Sequence, residues 1–387
     1  MHEGWPESLG PVVCVVGARP NFIKMAPILR AFSENSPTIP HRLVHTGQHY
    51  DHAMSEHLFE ELQLPRPEIN LGVGSSSHAV QTAEVMLRFE PVLDQHRPAC
   101  VLVVGDVNST LACALVAQKK GIPVVHVEAG LRSADRTMPE EINRILTDQI
   151  ADRLYTTERT ATDNLLREGI DSASVRFVGN VMIDSLHHHR NAFRKAEDCL
   201  HAAGINPELI SKAKAYGLVT LHRPSNVDNR QTLGSLLDVL RETSESLPLV
   251  FALHPRTRQK ISEFALAHWI DSTRMIMLPP QGYLEMLGLL ADAKLVLTDS
   301  GGLQEEATAL GVPCLTLRDT TERPITVSQG TNVIVGQDIE AIRFHASEVL
   351  AGRGKAGRIP EYWDGQAARR IAADLSDWLI NHHQRHH

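Results

Sequence analysis

The sequence contains no CxxC pair, no HExxH, no GxGxxG turn between a strand-like run and a helix (the match at 352–357 follows a helical pattern) and no Walker-type phosphate loop. The first two absences remove the common zinc sites, and the last two remove a simple dinucleotide or ATP site. No metal ligand set is expected. No apolar run is long enough to cross a bilayer. Met1-His2-Glu3-Gly4-Trp5 carries neither a basic nor an apolar stretch and does not read as a secretory signal. Internal repeats and low-complexity tracts are missing as well. Positive charge is in short supply: 38 Lys and Arg face 46 Asp and Glu, a net charge of −8. That balance argues against a nucleic-acid or membrane-surface binder, so any anionic ligand must be met by locally concentrated cations. The five cysteines (Cys14, Cys100, Cys113, Cys199 and Cys314) are odd in number and lie mostly in apolar runs. They read as buried thiols of a cytoplasmic protein.

What is present suggests an α/β protein. A chain of 387 residues with 42% hydrophobic residues supports two domains or one large unit. Strand-like runs fall at 12–16, 43–46, 101–104, 124–127, 154–156 and 176–178. A second set falls at 218–221, 249–253, 275–278, 295–298, 314–317 and 332–335. Most are continuously apolar, as in parallel strands covered on both faces. Helical patterns alternate with them. The reading is two Rossmann-like doubly wound domains with a central cleft. The first spans 1–183, joined by a terminal helix at 366–387, and the second spans 184–365.

The chemistry concentrates just after strands. Asp299-Ser300-Gly301-Gly302-Leu303-Gln304-Glu305-Glu306 reads as a strand end turning into a helix. Free N–H groups and the dipole of a helix start suit a phosphate. Glu306 is placed to accept hydrogen bonds from a sugar diol, and Arg323 adds a cation. Gly17-Ala18-Arg19-Pro20 offers a similar turn, with Arg19 and Lys24 supplying charge. Three carboxylates follow strands or open a helix: Asp106, Glu128 and Glu140. Asp106 also suits a helix cap, and Glu140 with Glu141 suits the first turn of a helix. Arg144, four residues after Glu140, is expected to pair with it or with a phosphate. His222-Arg223 at a strand end suits a diphosphate, as do His254 and Arg256 one strand later. Tyr283 is a candidate to stack on a base, or else a packing residue.

These segments resemble the non-hydrolysing UDP-N-acetylglucosamine 2-epimerases. The matching stretches are 17–20, 46–49, 105–110, 127–133, 139–144, 222–226, 299–306 and 321–324, in the family's order. The resemblance implies an architecture like that of GT-B glycosyltransferases, a terminal helix returning to the first domain, and a homodimer. It places Asp106, Glu128 and Glu140 on the family's acid–base carboxylates and His222 near the diphosphate. It places Arg19, Lys24, Arg144, Ser300, Gly301, Gly302, Glu306 and Arg323 on ligand-holding positions. The partner it implies is a UDP-sugar, and no redox cofactor is needed. A base removes the C2 proton while UDP leaves C1, and UDP re-adds after the proton returns on the other face. Three departures stand out: Ala18 and Asn21 in the first motif, Ser225 after His222-Arg223-Pro224, and Tyr50-Asp51 after Gln48-His49. The last argues against activation by the enzyme's own substrate and leaves room for a UDP-2,3-diacetamido sugar acid. Other readings are a hydrolysing epimerase, a glycosyltransferase of the same architecture, and a nucleotide-sugar binding protein.

Overall fold

The computed structural model describes residues 5–6, 8–47, 58–213, 215–270 and 273–386. It divides into two compact units, Met1–His188 with Glu361–His387, and His189–Pro360. The first contains a seven-stranded parallel sheet in the order β3-β2-β1-β4-β5-β6-β7. Its strands are β1 (Val12–Val16), β2 (His41–His45), β3 (Ile69–Asn70), β4 (Cys100–Val104), β5 (Val124–Ala129), β6 (Arg153–Thr156) and β7 (Val175–Phe177). The second contains a six-stranded parallel sheet in the order β10-β9-β8-β11-β12-β13. It comprises β8 (Gly217–Thr220), β9 (Leu249–Ala252), β10 (Met275–Leu278), β11 (Leu295–Thr298), β12 (Cys314–Thr316) and β13 (Asn332–Ile334). All twelve expected strands are present, their ends shifted by a residue or two. The extra strand, Ile69–Asn70, is too short to leave an apolar pattern.

Burial explains the continuous apolar runs. In the second sheet, Val219 and Leu297 join one core. Their neighbours Leu218 and Val296 join another on the opposite face. Successive strand residues point to opposite faces, so a sheet covered on both sides selects an apolar residue at every position. All five cysteines are buried and free. Among the described residues no helix is long and apolar enough to cross a membrane.

The terminal helix, Ala367–His386, is anchored within the first unit. Asp184 accepts hydrogen bonds from the Ala367 and Ala368 amides at 3.1 and 2.7 Å. Asp374 pairs with Arg153 and accepts from the Tyr155 hydroxyl at 2.8 Å.

Strand order reverses between β1 and β4 in the first sheet, and between β8 and β11 in the second. Such switch points open a crevice at the carboxyl ends of the strands. Residues 17–18 follow β1, 105–106 follow β4, 221–222 follow β8 and 299–300 follow β11.

Candidate active site

In the first unit, Glu128 sits at a register shift of β5 against β6. Its φ is +71°, a left-handed conformation costly for a residue with a side chain. Its carboxylate lies 2.7 Å from the Lys24 ammonium, and both are buried. Lys24 therefore serves as counter-charge to Glu128 in this structure, where the sequence suggested a ligand-holding cation. Gly105 (φ +69°) packs beside the pair: a Cβ there would stand 3.2 Å from Lys24 Nζ and 4.0 Å from Glu128 Oε1. The residue after Gly105 is Asp106, so the Asp106 loop runs next to Glu128.

Asp106 is half-buried and forms an ion pair with Arg144. It does not cap the helix that follows, Asn108–Lys119, whose capping position is Val107. The expected pairing of Arg144 with Glu140 is replaced by pairs with Asp106 and with Glu141, the latter at 2.6 Å. Glu141 is buried because it also accepts from the Ser133 and Ala134 amides, each at 3.0 Å. Glu140 stands partly exposed in the first turn of helix Pro139–Ile150.

The turn after β1 is not an open anion site. The Asn21 carbonyl oxygen accepts from the Ala18 and Gly17 amides at 2.9 and 3.3 Å, and its amide donates to the Val104 carbonyl. Gly17 admits the Thr46–Ser109 hydroxyl pair, since a Cβ would lie 2.5 Å from Ser109 Oγ. Arg19 opens helix Arg19–Glu34, half-buried. Gln48, His49, Tyr50 and Asp51 lie outside the described residues.

In the second unit, Asp299 organises the loop after β8. One carboxylate oxygen lies 2.7 Å from His222 Nδ1. The other accepts from the amides of His222 and Arg223 at 2.9 and 2.8 Å, and from Asn226 Nδ2 at 3.1 Å. Burial would raise this carboxyl, but the His222 ring and the two amides outweigh it and hold it below its ordinary range. His222 stays one-third exposed and lies 5.5 Å, ring to ring, from His254. His254 caps helix Pro255–Glu263 by accepting from the Arg256 amide at 3.2 Å. Burial and the neighbouring His222 both push its pKa down. Arg256 is committed to a surface ion pair with Asp228, and Tyr283 is buried edge-on against His189. Both therefore have local partners in this structure.

Helix Gly301–Leu310 begins after Ser300, whose side chain makes no capping hydrogen bond. Its first-turn N–H groups thus keep their anion-binding character. Ser300, Gly301 and Gly302 are partly exposed there, while Glu306 is buried. Beside this helix end lies a buried charge cluster. Arg323 pairs with Glu305 at 3.0 Å, and Arg318 with Glu322 at 2.9 Å. A Cβ at Gly301 would stand 2.5 Å from Glu322 Oε1, so a larger residue there would have to displace that carboxylate.

Burial would raise the Glu322 carboxyl, but Arg323 and then Arg318 overcome this and hold it at about 2. The folded value lies below the ordinary 4.5. The stabilisation is therefore complete above about pH 4.5 and is lost as pH falls through about 2, a change of roughly 3 kcal/mol. Acid unfolding should show this limb in the wild type and a flatter one in Glu322→Gln. Parallel curves would refute it.

The family model described as UDP-N-acetylglucosamine 2-epimerase matches residues 31–376. The chain belongs to this family. It is 42% identical over 365 residues to the UDP-N-acetylglucosamine 2-epimerase of Methanocaldococcus jannaschii, covering 94% of this chain and 98% of that one. It is 40% identical to the UDP-2,3-diacetamido-2,3-dideoxy-D-glucuronate 2-epimerase of Pseudomonas aeruginosa, covering 94% and 99%. The crystal structure of the M. jannaschii enzyme in complex with UDP-GlcNAc and UDP superposes with a TM-score of 0.81 at 40% identity, covering 95% and 99%. Membership of an epimerase family makes proton exchange at a sugar carbon the chemistry to be explained.

Sequence reasoning missed four residues that organise the site: Asp299, Glu141, Glu305 and Glu322. All four sit inside motifs already singled out. A buried acid beside a conspicuous His or Arg was the available signal.

Proposed function

We propose that the chain catalyses reversible epimerisation at C2 of UDP-N-acetylglucosamine, giving UDP-N-acetylmannosamine. A carboxylate takes the C2 proton, the C1–O bond breaks, and its electrons leave with UDP. The remaining sugar is the 2-acetamidoglucal. A proton then returns to C2 on the other face and UDP re-forms the C1–O bond, so the cycle is neutral in atoms and electrons. Asp106, Glu128 and Glu140 carry the protons, and His222 meets the departing diphosphate. Ser300, Gly301, Gly302 and Arg323 hold the nucleotide phosphates, Glu306 the ribose, and Arg19 further ligand charge. Lys24 and Arg144 act through the carboxylates they pair with. Concerted loss of a weakly acidic C–H and a diphosphate requires the leaving charge to be stabilised as it forms.

The observation that carries this reading is the Glu128 carboxylate. It is held at positive φ against Lys24, beside the Asp106 loop. Backbone strain and buried ion pairs both cost stability and concentrate where function needs them. A binding protein leaves both unexplained. The second reading, a UDP-2,3-diacetamido uronic acid substrate, is favoured by the relative that carries that name.

The test is incubation with UDP-N-acetylglucosamine in D2O, followed by NMR. UDP-N-acetylmannosamine with deuterium at C2 is the expected product. Free N-acetylmannosamine with UDP would replace this reading with a hydrolysing one. An intact C2 proton would overturn it for this substrate and move the test to the diacetamido uronate. We further place the enzyme in the cytoplasm as a homodimer. The exposed Val80, Leu87, Ile142 and Leu146 support such pairing, and a light-scattering mass of two chains would check it.

A further inference from the structure

His126 and Asp148 have no part in the roles given so far. Both side chains are wholly buried. His126 lies mid-strand in β5 between the apolar Val125 and Val127. Its Nε2 is 2.9 Å from the Gly105 carbonyl oxygen, and its Nδ1 is 2.7 Å from Asp148 Oδ1. A carbonyl only accepts, so Nε2 carries a proton and donates. The other Asp148 oxygen accepts from the Gly130 amide at 3.1 Å and pairs with Arg132 at 2.8 Å. Arg132 continues to Glu168, and Asn164 donates to the Gly130 carbonyl at 2.9 Å.

The anchored atoms belong to two loops. Gly105 immediately precedes Asp106, and Gly130 follows Glu128 by two residues. Gly105, Glu128 and Gly130 all have positive φ, at +69°, +71° and +80°. Of the three only Glu128 carries a side chain, and a left-handed non-glycine residue persists only where the surroundings over-determine it. A space-filling role would be met by a valine, without the cost of burying an imidazole and a carboxylate.

We propose that His126, oriented by Asp148, is a positioning residue for the C2 chemistry. Its bond to the Gly105 carbonyl, and the bond of Asp148 to the Gly130 amide, fix the spacing between Asp106 and Glu128. The inference rests on the epimerase reading and adds residues that touch no substrate.

Two amide variants separate the bonds. In His126→Gln the side-chain nitrogen falls near the Nε2 position and keeps the bond to Gly105. In His126→Asn it falls near the Nδ1 position and keeps only the bond to Asp148. His126→Asn should lower kcat about 100-fold, the effect of an ångström-scale misplacement, with KM little changed. His126→Gln should keep about a tenth or more of the wild-type kcat. UDP affinity by calorimetry should stay near wild type in both. Equal losses in the two variants, or a wild-type kcat in His126→Asn, would overturn the proposal. If His126→Asn fails to fold, His126→Phe, which keeps a ring but loses both bonds, takes its place with the same expected kcat loss and the same overturning result. Deuterium uptake across residues 101–110, read by mass spectrometry, tests the anchor even if the wild type leaves UDP-N-acetylglucosamine unchanged. Faster uptake in His126→Asn than in His126→Gln supports the anchor, and equal uptake refutes it. A wild type that fails to exchange C2 would count against the epimerase reading alone.

Discussion

Glu128→Gln is expected to lower kcat for C2 proton exchange by about a thousand-fold. It should also destabilise the protein by about 3–5 kcal/mol. The two losses have different causes. The amide cannot accept the C2 proton, whatever the fold does. It also leaves the Lys24 ammonium buried without its counter-charge, in a pair whose side chains are 7% and 2% exposed. Removing one partner of a buried ion pair is costly, while removing both is often close to neutral. The double variant Lys24→Met/Glu128→Gln should therefore recover most of the stability in urea unfolding and none of the activity. Recovery of activity would show that Glu128 serves only to neutralise Lys24 and carries no proton. Failure to recover stability would show that the pair is held by contacts beyond its own charges.

The fold was legible because both sheets are covered on both faces. Every strand position between Val12 and Val16 is buried, and such runs mark parallel strands without any periodicity to decipher. The places where chemistry gathers were legible for a related reason: ligand-facing residues follow strands at a switch point, and polar clusters just after apolar runs stand out. What local spacing did not show was which charge answers which. Lys24 and Glu128 are 104 residues apart in the chain, and Asp106 and Arg144 are 38 apart. The spacing rule for helices put Arg144 with Glu140, because residues four apart share a face. Glu141 won because it also satisfies the backbone amides of Ser133 and Ala134. Arg144 pairs with Glu141 and also reaches across to Asp106. Arg256 and Tyr283 show the converse. Their sequence setting suits a ligand, but a surface carboxylate and an imidazole ring already engage them.

Asp299→Asn should lower kcat by about a hundred-fold or more while leaving the second unit folded, because the substitution changes which His222 nitrogen carries the proton. Three donors converge on one Asp299 oxygen: the His222 and Arg223 amides and Asn226 Nδ2. Only the carbonyl oxygen of an asparagine can meet them. Its NH2 group must then take the place of the other oxygen, which lies 2.7 Å from His222 Nδ1. A donor facing Nδ1 requires an unprotonated Nδ1, so the single ring proton moves to Nε2. In the wild type the carboxylate, 2.7 Å away, holds the proton on Nδ1. A carboxylate-to-amide exchange behind a working histidine has cost up to about 10⁴-fold in a serine protease, chiefly through the wrong tautomer. The present ring is one-third exposed and answers a departing diphosphate instead of exchanging a proton with a nucleophile, so the smaller figure is expected. Nitrogen-15 chemical shifts of a labelled His222 ring should report the tautomer switch directly, alongside the C2 exchange rate. A switched tautomer with undiminished exchange would remove His222 from the reaction. An unswitched tautomer would mean that Asp299 does not orient the ring.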